Sequence, residues 1–177
     1  PAEVPSLIGY PDNTDFTVGI VSGAYTDDTI RCIRSSLKWA GGRLIEIVVL
    51  DNGAPHSPRE WLSQPSISDK RVRVIHADHT LGEGAAKNIV LKQSRGQTVV
   101  LLDTSVELTG DIYGPILQLL EDQSVGVTGP FGMRTNDLRH FHKEESGPTD
   151  VDAVQAYCFA FKRSLLQNVG LMRETFR

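Results

Sequence analysis

The sequence predicts an α/β fold with a mostly parallel central sheet flanked by helices, on the strength of three observations. Short apolar runs alternate with stretches of helical spacing along most of the chain. The run at 44–50, Leu-Ile-Glu-Ile-Val-Val-Leu, is nearly continuous in hydrophobicity and rich in β-branched residues, as in a strand buried on both faces. Turn-forming residues such as Gly41-Gly42, Asp51-Asn52-Gly53 and Gly82-Glu83-Gly84 punctuate the alternation.

The elements follow in order. Residues 16–22 make a first strand through Val18, Ile20 and Val21. Thr26, Asp27 or Asp28 caps a helix whose stripe is Ile30, Ile33 and Leu37, and Gly41-Gly42 stops it with a residue able to take positive φ. After the second strand at 44–50, Ser57-Pro58 opens a short helix, with Ser as N-cap and Pro in the first turn. Val72, Val74 and Ile75 mark a third strand, residues 84–94 a helix closed by Gly96, and 98–103 a fourth strand ending in Asp103. Residues 111–121 form a helix with Pro115 in its first turn, and 124–128 a short fifth strand. Residues 131–149 are polar and aperiodic and read as a long mobile loop. Residues 151–161 resume as a strand and 163–169 as a helix.

Composition bounds the function. Eighteen Lys and Arg against 22 Asp and Glu leave a net charge of −4, the wrong sign for a sequence-independent grip on nucleic acid. No apolar run approaches the ~20 residues of a membrane-spanning helix. The two cysteines, Cys32 and Cys158, lie in apolar stretches and read as buried free thiols, which points to a reducing, cytoplasmic setting. The length suits one domain over residues 1–177, opened by an extended polar segment at 1–15. The start without Met and the stop after Arg177 suggest a piece truncated on its C-terminal side.

In a parallel α/β sheet, ligands bind in the crevice outside the carboxyl ends of the strands. The loops to inspect therefore begin at Ser22, Asp51, Ala77 and Asp103. Gly82-Glu83-Gly84 before a helix suits phosphate, yet Lys87 stands where a dinucleotide fingerprint needs a small residue, and the motif follows the third strand rather than the first. His76 with His79, or His140 with His142, are pairs without a Cys-rich or His-Glu-x-x-His context for zinc. Neither is there a Gly-x-Ser-x-Gly nucleophile motif.

Those same loops carry a resemblance. Residues 16–37, Glu46-Ile-Val-Val-Leu-Asp51-Asn-Gly-Ala54, Leu81-Gly-Glu-Gly-Ala-Ala-Lys-Asn88, Arg95-Gly-Gln-Thr-Val-Val-Leu-Leu-Asp103 and residues 151–170 together resemble family 2 glycosyltransferases, in order and spacing. The resemblance implies the nucleotide-binding sheet commonly called the GT-A fold. It also implies transfer of a sugar from a nucleotide-diphosphate sugar to a hydroxyl acceptor, with inversion. By the same resemblance Asp51 bonds the base or ribose, Ala24 and Tyr25 line the base pocket, and Lys87 and Asn88 face the crevice, with Lys87 against the diphosphate.

Two departures qualify it. The family's Asp-x-Asp, which holds Mn²⁺ or Mg²⁺ against the diphosphate, is here Asp103-Thr104-Ser105. Glu107 falls on the same face as Asp103 if the backbone stays extended, and is the substitute ligand to consider. Gly170-Leu-Met-Arg173-Glu174-Thr-Phe176 only partly matches the stretch that precedes the family's general base, which leaves the catalytic residues unassigned. A relative that keeps the fold as a non-catalytic binding or scaffolding module is the alternative. A nucleotidyltransferase fits less well, because residues 22–28 contain no Arg or Lys for a basic phosphate loop.

Overall fold

The computed structural model describes residues 14–23, 25–52, 68–146 and 149–175. The order is β1 (Phe16–Ser22), α1 (Thr26–Lys38), β2 (Ile45–Asp51), β3 (Val72–His76), α2 (Glu83–Gln93), β4 (Thr98–Leu102) and α3 (Tyr113–Glu121). It continues with β5 (Val127–Thr128), β6 (Phe131–Thr135), β7 (Phe141–Ser146), β8 (Ala153–Val154), β9 (Cys158–Lys162) and α4 (Leu165–Val169).

Six strands form the main sheet in the order β3-β2-β1-β4-β9-β5. The first four in that row are mutually parallel, and β9 runs antiparallel to both β4 and β5. Alternation along the parallel strands builds two cores. Phe16, Val18, Ile20, Ile47, Val49 and Val100 pack with Ile30 and Ile33 of α1 and Tyr113, Ile116 and Leu120 of α3. Val48, Leu50, Val99 and Leu101 point the other way, onto Ala86, Val90 and Leu91 of α2 and Leu166 of α4. Each such aliphatic side chain contributes roughly 1.5–3 kcal/mol on burial, and in residues 45–50 only Glu46 stays partly exposed. That is why the second strand reads as almost unbroken apolar sequence.

Several expectations need correction. Helix α1 has Tyr25 at its N-cap position with no side-chain cap, while Asp27 and Asp28 sit in its first turn. There they face the exposed N–H groups and the positive end of the helix dipole. Gly41 takes φ 63°, as the helix stop requires. The helix expected at Ser57-Pro58 lies outside the described residues.

Within the stretch expected as a loop, the described residues 131–146 form two strands. Strands β6 and β7 pair antiparallel, and β8 joins the other edge of β6 to give a three-stranded sheet. Of β6 only Gly132 is buried, so backbone ladders rather than an apolar face hold this layer, and no period of two is written into it. A register shift at Arg134 and Thr135 breaks the pattern further. The single strand expected at 151–161 is divided between β8 and β9.

Candidate functional site at the carboxyl edge

Register places the chemistry. Ser22, Asp51 and His76 are aligned across the ends of β1, β2 and β3, and Ile20 pairs Leu102, so Asp103 leaves β4 at the same edge. Strands β2 and β4 flank β1. At the usual spacing between strands, Asp51 and Asp103 leave the sheet roughly 10 Å apart.

Asp51 is mostly buried, with 16% of its side chain exposed, and its Oδ2 lies 3.0 Å from His76 Nδ1. The next residue fastens the neighbouring loop. Asn52 donates from Nδ2 to the Leu81 carbonyl (3.0 Å) and accepts the Leu81 N–H at Oδ1 (2.8 Å). That two-bond clamp draws the approach to α2 onto the end of β2. At the end of β1, the Ser22 and Thr29 hydroxyls share a 2.9 Å hydrogen bond, and the exposed Tyr25 ring stands at the start of α1. Ala24 lies outside the described residues.

Asp103 is exposed, and its backbone N–H donates to the Tyr157 carbonyl (2.8 Å). Its Oδ1 accepts both the Ser105 N–H (2.9 Å) and the Ser105 hydroxyl (2.6 Å). The Val106 N–H closes back on the Asp103 carbonyl at 3.0 Å, which makes 103–106 a turn. The extended backbone that would align Glu107 with Asp103 is therefore absent. Glu107 instead meets Arg31 Nε at 3.4 Å and lines a depression of about 570 Å³ beside α1, with Arg34 and Lys38. A second depression of about 560 Å³ lies near the amino ends of the parallel strands, lined by Gln97, Thr98, Leu120 and Arg163 among others.

Lys87 and Asn88 separate in role. The Lys87 ammonium pairs with Glu83 and stands 5.9 Å from the centre of the Phe159 ring. The Asn88 side chain is taken up by structural bonds. It is 1% exposed and bonds the chain near its end, accepting the Met172 N–H (2.9 Å) and donating to the Met172 carbonyl (2.9 Å) and Glu174 Oε1 (2.8 Å). A Cβ on Gly84 would fall 2.3 Å from the Arg173 carbonyl oxygen. The second glycine of Gly-x-Gly is thus required by this backbone crossing, whatever else binds there.

The described residues offer a divalent cation few ligands. Hard cations take about six oxygen ligands. Among the described residues no three His, Cys, Asp or Glu side chains come together, and one oxygen of Asp103 is already engaged by Ser105. His79 pairs with its neighbour Asp78, and His140 with Asp137 at the β6–β7 tip.

Sequence reasoning missed His76 as the partner of Asp51 and Asn52 as a clamp. The end of the third strand was the available clue for His76, since parallel register sets strand ends side by side.

Known proteins resemble this chain in sequence and in fold. Residues 20–173 match the family described as glycosyl transferase family 2. The succinoglycan biosynthesis protein ExoO of Rhizobium meliloti is 32% identical over 100 residues, covering 56% of this chain and 27% of that protein. The mannosyltransferase PcManGT of Pyrobaculum calidifontis, solved with GDP-Man and Mn²⁺, superposes with a TM-score of 0.64 at 18% identity. That match covers 97% of this chain and 53% of the other. S. aureus TarS (1–349) gives a TM-score of 0.66 at 13% identity, over 93% and 52% of the two chains. The chain spans less than a third of the length of the curated relatives it matches and about half of each of these two solved chains. Both solved neighbours are GT-A glycosyltransferases, and their likeness establishes the GT-A fold. With the family match running from within β1 to beyond α4, this chain belongs to glycosyl transferase family 2.

Proposed function

We propose that the chain binds a nucleotide-diphosphate sugar at the carboxyl edge of its sheet and passes the sugar, with inversion, to a hydroxyl acceptor. The observation that carries this reading is the placement of Asp51 and Asp103 at the ends of the two strands flanking β1, with Tyr25 where the chain passes from β1 into α1. Asp51 Oδ1 has no partner among the described residues, so this mostly buried oxygen can accept a hydrogen bond from a base N–H or a ribose hydroxyl. The exposed Tyr25 ring gives the base a flat apolar surface.

In an inverting transfer the acceptor oxygen attacks the anomeric carbon from the face opposite the leaving diphosphate. The new C–O bond forms as the old one breaks, the bonding pair leaves with the diphosphate, and the acceptor proton passes to a base. The reading assigns that base to no described residue. A cytoplasmic setting belongs to the same reading, supported by two unpaired, buried thiols. Among the described residues no helix is long and apolar enough to cross a membrane.

The second reading, a binding module without catalysis, is favoured by the Ser105 bonds that engage the Asp103 carboxylate. Calorimetric titration of the chain with UDP-, GDP- and dTDP-sugars tests the shared donor site. Binding of one of them, weakened by Asp51→Ala about tenfold or more, is expected. A folded chain that takes up none of them refutes the donor site. Release of free nucleotide from the bound donor on adding an acceptor would separate enzyme from module.

A further inference from the structure

We infer that this site binds its donor diphosphate without a divalent cation, the Lys87 ammonium supplying the positive charge; the inference rests on the donor-binding reading above.

The ligand set points that way. Where the family pattern has a second carboxylate, Ser105 presents a hydroxyl, and that hydroxyl donates to Asp103 Oδ1 at 2.6 Å. A neutral hydroxyl is a weak ligand for a hard cation, and this one is turned onto Asp103. The turn at 103–106 then carries Glu107 to Arg31, removing the next carboxylate in sequence. What remains for a cation is one carboxylate with one oxygen already occupied.

Lys87 stands at the same strand end. Asp103 follows Leu102, Leu101 is paired with Phe159 across β4 and β9, and the Lys87 ammonium lies 5.9 Å from the centre of the Phe159 ring. Its side chain is only 15% exposed, so the stem is held and little freedom remains to lose when an anion arrives. Its partner Glu83 is 73% exposed, and a pair open to solvent on one side is weak. A diphosphate carries more charge than a single carboxylate and can displace Glu83 from the ammonium.

The arrangement also decides what Asp103 does. With no cation between them, a carboxylate and a diphosphate repel. Asp103 therefore faces a hydroxyl of the donor's ribose or sugar through Oδ2, while Ser105 moderates the charge on Oδ1.

Titrating the full chain with UDP, GDP and dTDP, once in EDTA and once in Mn²⁺, tests this. The expected result is binding of one of them with affinities within about twofold in the two buffers. Lys87→Met, which keeps an unbranched stem over Phe159, should weaken it about tenfold or more. Ser105→Asp should introduce a Mn²⁺ enhancement of about fivefold or more. Thermal unfolding of both variants confirms that they are folded. A tenfold Mn²⁺ enhancement in the unaltered chain, or binding by folded Lys87→Met within about twofold of it, overturns the inference and leaves the donor reading standing. Failure of the folded chain to bind any of the three in either buffer removes the donor reading, and the inference with it.

Discussion

At the scale of single residues, the site depends on what each carboxylate is already doing. Asp51 has one oxygen fixed by His76 at 3.0 Å and the other turned to no described partner. Removing the imidazole leaves the carboxylate free to rotate and exposes it to water. His76→Ala is expected to weaken nucleoside diphosphate binding about fivefold, in line with a hydrogen bond worth about 1 kcal/mol. In a double-mutant cycle His76→Ala and Asp51→Ala should be non-additive, since each removes the same pair. Additive losses would mean that His76 and Asp51 act separately. The positions of Asp51 and Asp103 were legible in the sequence because both close unmistakable apolar strands. Their partners were not. His76 reaches Asp51 only through the register of β2 and β3, and Ser105 reaches Asp103 only because the chain turns at once. Periodicity reports burial, and neither of these bonds is a matter of burial.

At the scale of elements, closure of the opposite edge depends on Thr17. Its hydroxyl donates to Glu46 Oε1 (2.6 Å) and accepts the N–H groups of Arg95 (3.1 Å) and Gly96 (2.8 Å). The turn between α2 and β4 is thereby tied to β1 and β2. Thr17→Val keeps the shape but leaves the buried Gly96 N–H without that acceptor, at a cost of about 1–3 kcal/mol. Urea denaturation measures it. A change under about 0.5 kcal/mol would show that the turn is held by its backbone alone. Elements packed on an apolar face were found from sequence nearly to the residue, as α2 and β4 illustrate. The β6–β7 pair was read as a loop, because a ladder with little burial writes no hydrophobic pattern. The split between β8 and β9 was hidden for a related reason: a short turn within an apolar stretch leaves the composition unchanged.

At the scale of the whole molecule, two cores on opposite faces of one sheet made the α/β class readable, since β-strands that are apolar on both sides need helices on both sides. Strand direction was not encoded in the same way, so the antiparallel β9 emerged only from the structure. The interior also fixes the response to alkali. Burial pushes the Cys32 thiol from the ordinary 9.0 up to about 12 and Cys158 up to about 11, and it raises the Tyr113 phenol. The folded chain holds these protons where the unfolded chain releases them. Their contribution to stability is complete below pH 9 and declines as pH rises toward 11 and 12. The denaturation midpoint should fall steadily above pH 9, and thiol reagents at neutral pH should label neither cysteine until the chain unfolds. Rapid labelling of the native chain would contradict the burial on which both statements rest.

The central claim is that donor binding occurs at the carboxyl edge, between the ends of β2 and β4. Amide chemical-shift mapping of the chain during titration with UDP, GDP and dTDP tests it directly. The account predicts that one of them shifts the amides of Tyr25, Asp51, Asn52, His76, Lys87, Asp103 and Ser105 together. Shifts confined to the opposite edge at Gln97, Leu120 and Arg163, or to Arg31 and Lys38 beside Glu107, would contradict it.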